Sequence, residues 1–144
     1  MGKGAGAVSV IVPGRPRRVP VRHRVPAAVA LAVALVAGRL PLRHRIRLVR
    51  CVRALPYAAP ARLEQLHAAV LAVRPTWWPG RIACLETSLA MVIAAALTGR
   101  RARWVLGARF LPHAAHAWAE VPGAAVGRDE QGAADRPWLP VLTV

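Results

Sequence analysis

The sequence predicts an α+β fold, with helices first and a small antiparallel sheet after them. Three observations predict it. Apolar residues recur at helical spacing as far as Gly99, short alternating runs take over beyond it, and Pro122-Gly123 forms a turn dipeptide between two of those runs. A chain of 144 residues has room for one domain, or one domain with a helical appendage. Its 56% hydrophobic content suffices for a core, although much of it is alanine and valine.

Residues 1–23 read as a basic disordered arm, because glycines, prolines and arginines are scattered there without a period. Residues 24–75 read as a helical region. Within it, residues 26–38 are apolar all round, which predicts a buried helix. Residues 41–55 are amphipathic, with Leu42, Ile46, Val49 and Val52 on one face and Arg43, Arg47 and Arg50 away from it. Pro41 suits the first turn of that helix, and Cys51 falls inside it as packing. Residues 60–73 carry a stripe of Leu63, Leu66, Val70 and Val73, and His67 is read there as an ordinary surface or core histidine. Residues 74–80 form a loop stiffened by two prolines and anchored by Trp77 and Trp78.

Residues 76–144 read as the catalytic core. "CLETSLAMVIAAALTG" predicts a helix from Cys84 to about Thr98, stopped by Gly99. Strands follow at 103–110, 115–121 and 124–127. A last strand at 138–144 is interrupted by Pro140, which places it at a sheet edge.

The charge is uneven. Residues 1–63 hold thirteen of the 21 Lys and Arg and no acid, whereas residues 64–144 hold all six acids. An acid-free basic half suits an anionic partner such as lipid headgroups, an acidic peptide or nucleic acid. Nucleic acid is the weakest of these, because that half contains a single aromatic residue, Tyr57, and so no stacking platform. Two cysteines make no disulfide framework and point to a reducing, cytoplasmic setting. The basic flank and apolar run ending at Gly38 have the order of a signal peptide, but the run starts late. It is also shorter than the roughly 20 residues of a membrane span.

The chemistry centres on Cys84. A thiol at a helix start lies beside free backbone N–H groups and the positive end of the helix dipole, which favour a nucleophilic thiolate. It needs a base and a group to orient that base. His113 and His116 are the candidates for the base. If Pro122-Gly123 is a symmetric two-residue turn, paired positions sum to 245, so His116 faces Asp129 with Cβ atoms about 4.5–5.5 Å apart. His113, Arg128 and Glu130 then have the opposite parity, and Trp118 shares the face of His116. A one-residue bulge would move the argument to Glu130. His113 and His116 also have a zinc-like spacing, but further ligands are missing and no metal is expected. No glycine-rich phosphate loop is present, and no cofactor is expected.

"GRIACLETSLA", "TGRRARWVLGARF", "AHAWAEV", "AVG" and "WLPVLTV" together resemble the transglutaminase-like cysteine peptidases of lasso-peptide biosynthesis, the B-protein leader peptidases. The resemblance covers residues 80–144. It implies a papain-like or transglutaminase-like core, a helix carrying the cysteine packed on a small antiparallel sheet. It implies Cys84 as nucleophile, His116 as base and Asp129 as third member. Related chains often carry Asp-Gly where this chain has Pro122-Gly123, and an acid where it has Arg128. The expected activity is removal of the leader from a lasso precursor in a bacterial cytoplasm, with possible alternatives in acyl transfer on the same fold or a cationic binding module. The expected partners are the precursor leader peptide, a separate small winged-helix-like leader-recognition protein and an ATP-dependent lasso cyclase. An anionic membrane surface is a further candidate. With no strand-rich segment ahead of the helices, the chain reads as the protease half of a split pair.

Overall fold

A computed structural model describes residues 18–77, 82–110, 113–128 and 137–144. Four helices precede four strands: α1 (Val21–Ala37), α2 (Leu42–Arg50), α3 (Pro60–Ala72), α4 (Cys84–Leu97), β1 (Arg103–Arg109), β2 (Ala114–Val121), β3 (Ala124–Val126) and β4 (Leu139–Thr143). The predicted α+β class, the order of elements and most boundaries are as expected.

α4 is the central element and touches α1, α3, β1 and β2. Beyond Ser88 it is apolar on every side, and the run from Ser88 to Val92 together with Ala94 and Ala95 is buried. Buried Ser88 is satisfied: its hydroxyl accepts the Trp104 indole N–H at 2.9 Å, which ties α4 to β1. Leu63, Leu66 and Val70 of the predicted stripe are buried, as is Ala69, whereas Val73 is the C-cap residue of α3 and half-buried; the buried four share one core with Trp104, Ala119, Val121 and Val126 of the sheet.

α1 departs from expectation in two ways. It begins at Val21 and continues through Pro26, whose missing N–H leaves the Arg22 carbonyl without its helical donor. It is also not buried all round. Small residues (Ala27, Ala30, Ala34, Ala37) and Leu31 pack inward, while Val25, Val29, Val33 and Val36 face outward. An apolar helix at the periphery of a small domain has only one side to bury. Arg45 closes its C-terminal end, donating to the carbonyls of Ala37 at 3.0 Å, Leu40 at 3.1 Å and Gly38.

α2 is shorter than its pattern. It stops at Arg50, and residues as far as Leu55 continue as turns with i→i+3 bonds. Cys51 is therefore the C-cap residue and is exposed, which corrects its reading as packing inside the helix. Within α2 only Val49 is buried. Trp77 is 77% exposed and does not anchor its loop in the core. Trp78 lies outside the described residues.

The sheet is antiparallel in the order β3-β2-β1-β4. β4 is at an edge, with Pro140 opposite Gly107 beside a register shift. The β2–β3 hairpin pairs Val121 with Ala124, Glu120 with Ala125 and Ala119 with Val126, all summing to 245. Gly123 supplies the positive φ (+86°) that the Pro-Gly turn requires. β1 needs Gly107 for a different reason: a Cβ there would lie 2.5 Å from the Trp118 ring and 3.1 Å from the Leu139 carbonyl.

Candidate active site

Cys84 occupies the first position of α4 and is partly exposed. The residue before it is Ala83, extended at φ −84° and ψ 175°, with no side chain able to cap the helix. The first intrahelical bond is from the Thr87 N–H to the Ala83 carbonyl, at 3.1 Å. The N–H groups ahead of it, including that of Cys84, have no partner in their own helix. The thiol therefore stands on the opening turn of the helix, as the sequence led one to expect.

The entry to α4 is held from across the cleft. Arg74, just past α3, donates to the Ile82 carbonyl at 2.8 Å, two residues before Cys84. Both residues line a cleft of about 190 Å³ together with Cys84, His67, Met91, His116 and Gly127. The structure thus brings Cys84 and His116 to one cavity, from a helix start and a strand far apart in sequence.

His116 lies near the start of β2. β3 stops at Val126, so its pairing ends at Ala119, and Gly127 turns away with φ +81°. The turn brings the Gly127 carbonyl to 2.7 Å from His116 Nε2. A carbonyl can only accept, so Nε2 carries the proton and the lone pair is on Nδ1. The imidazole is steadied by two indoles: Trp118 stacks on it at 6.2 Å between centroids, and Trp138 lies tilted at 5.3 Å. The Arg109 guanidinium covers Trp138 at 4.6 Å.

The other predicted residues are placed as follows. His113 is in the turn before β2, exposed, with Phe110 edge-on at 6.0 Å. What separates it from His116 is therefore position outside the strand and not strand parity. The hairpin register extended to His116 reaches Asp129, and both Asp129 and Glu130 lie outside the described residues. Among the described residues no three His, Cys, Asp or Glu side chains gather as metal ligands.

Two cleft residues escaped the sequence reading. His67 lies beside Gly127, where a Cβ would be 3.8 Å from His67 Nε2. Burial pushes its pKa below the usual histidine value, which keeps it neutral. It follows Leu66 by one residue and precedes Val70 by three, so it flanks the buried stripe, and that placement was a usable signal. The Arg74–Ile82 link had no such signal, because it depends on how the loop closes.

A cysteine at the start of a central helix, a strand histidine whose outer nitrogen is bonded, and helices packed on an antiparallel sheet form one arrangement. Residues 23–137, well over half of the chain, match the profile of the transglutaminase-like superfamily. The chain belongs to that superfamily. The match takes in α2 to α4, β1 to β3 and nearly all of α1, and the four-helix, four-strand α+β fold agrees with it. The chemistry associated with the transglutaminase-like superfamily is that of cysteine proteases and acyl transferases. No curated protein and no solved structure matches the chain significantly.

Proposed function

We propose that this chain is a cysteine peptidase that removes the leader from a ribosomally made lasso-peptide precursor. The observation that carries the reading is the shared cleft of Cys84 and His116, with the His116 Nε2 proton held by the Gly127 carbonyl. In this reading Nδ1 takes the Cys84 proton, and the thiolate attacks the scissile carbonyl. The N–H of Cys84 donates to the developing oxyanion. His116 returns the proton to the leaving amine, which frees the core peptide, and water then hydrolyses the thioester to release the leader as a carboxylic acid. Asp129 follows Gly127 by two residues and is proposed as the group that holds the imidazolium once it forms. The free amine of the core is the nucleophile a separate ATP-dependent cyclase would join to a side-chain carboxyl.

The cleft also bears on partners. At about 190 Å³ it is smaller than the roughly 300–1,000 Å³ of pockets that hold a whole ligand. It suits the residues around a scissile bond and not a leader, whose ordering costs entropy that a short contact cannot offset. A separate leader-recognition protein is therefore part of the proposal.

The test runs the reaction in heavy-oxygen water with precursor and leader-binding protein. Hydrolysis puts the heavy oxygen into the C-terminal carboxyl of the leader. A leader joined instead to an added amine would make the chain an acyl transferase and contradict the peptidase reading.

A further inference from the structure

The outer face of α1 is an apolar stripe with no covering element among the described residues. Val21, Val25, Val29, Val33 and Val36 recur at intervals of four, four, four and three, and are 71%, 59%, 49%, 39% and 63% exposed. That spacing sets them on one side of a 17-residue helix about 25 Å long. Leu40, 47% exposed, continues the apolar surface beyond the helix. Beside the stripe runs an apolar groove of about 470 Å³, lined by Leu31, Leu35, Val36 and Val73, with Trp77 and Arg39 at its margins.

The charges identify the occupant. Arg18, Arg22 and Arg24 stand at the N-terminal end of α1, and Arg39 and Arg43 at the other, all exposed. No acidic residue precedes Glu64. The stripe itself is valine, with no hydrogen-bonding side chain to specify a protein partner. Aliphatic residues between guanidinium groups, with an exposed tryptophan alongside, match the layering of a bilayer surface. The hydrocarbon margin takes the valines, and headgroup phosphates take the arginines. Indoles favour that boundary. No helix among the described residues is long and apolar enough to cross a membrane, so α1 would lie in the interface plane.

We infer that the outer face of α1 docks this protein on an anionic lipid surface. The inward residues of α1 already pack against the domain, so the binding face is presented without folding on contact. The inference is independent of the peptidase reading, since no stripe residue lines the Cys84 cleft.

Flotation of the full chain with vesicles tests it. Vesicles of phosphatidylcholine and phosphatidylglycerol should carry the protein, and pure phosphatidylcholine vesicles should carry roughly tenfold less or lower. Val25→Ser/Val29→Ser/Val33→Ser should cut partitioning onto anionic vesicles about tenfold, with an unchanged circular dichroism melt. If that triple variant misfolds, the near-isosteric Val25→Thr/Val29→Thr/Val33→Thr should give a loss of the same sign. Arg18→Gln/Arg22→Gln/Arg39→Gln should erase the preference for anionic lipid. Undiminished binding by the folded valine variants would overturn the inference. So would a dimer in sedimentation that the same valine substitutions dissolve, which would make the stripe an interface between copies.

Discussion

At His116, the proposed base, a backbone carbonyl holds the ring. Its Nε2 is held by the Gly127 carbonyl and two indoles pack on its ring, which orients Nδ1 for the role proposed above. His116→Ala should lower the cleavage rate by about 10²–10⁴, the usual contribution of a positioned acid–base group. His113→Ala, altering an exposed turn residue, should leave the rate within a few-fold; comparing the two in one assay checks the assignment. His67 makes a separate prediction. Its pKa is lowered in the fold by burial, so above the unfolded value of about 6.5 both states are neutral and it has no effect on stability. As pH falls below that value, the unfolded chain takes a proton that the folded chain refuses, and stability falls. His23 shifts in the same direction, through burial and then Arg62 and Arg22. His67→Gln should therefore flatten part of the drop in urea midpoint between about pH 7.5 and 5.5, and an unchanged slope would contradict it.

Among the elements, the hairpin was the most legible. A turn dipeptide between alternating runs fixes the register, and all three pairs of β2 and β3 follow it. The start of α4 was legible too, because the helical period opens at Cys84 and closes before Gly99. The two helices with long apolar runs after a polar first turn show the limit. The same pattern is central in α4 and peripheral in α1, and composition cannot say which helix the others will surround. α2 failed differently: its amphipathic stripe promised burial, but only Val49 meets the core, and Cys51 falls beyond the helix end. Gly107 carries the prediction at this scale. Gly107→Ala would drive a Cβ into the Trp118 ring and should cost about 1–3 kcal/mol of stability, measured by urea denaturation. The shift of Trp118 should disturb its stacking on His116, so cleavage should slow more than the stability loss alone explains.

At the scale of the molecule, the helical half and the sheet share one core, and the cleft opens where α3, the start of α4 and the open end of β2 meet. Residues from four separated stretches line it, so Arg74 could not be nominated from local pattern, whereas Cys84, His116 and, from its place beside the buried stripe, His67 could be. On the readings proposed above, the chemistry belongs to the half of the chain that begins at Glu64, and lipid docking belongs to the basic half. The proposed division of labour predicts that the isolated chain cleaves precursor slowly and that the leader-recognition protein restores rapid cleavage. The most direct measurement follows precursor mass over time with that protein present, for the wild-type chain and for Cys84→Ala. The account predicts release of intact leader and core by the wild type and none above background by Cys84→Ala, which should retain the wild-type circular dichroism spectrum. Cleavage by Cys84→Ala at the wild-type rate would contradict it.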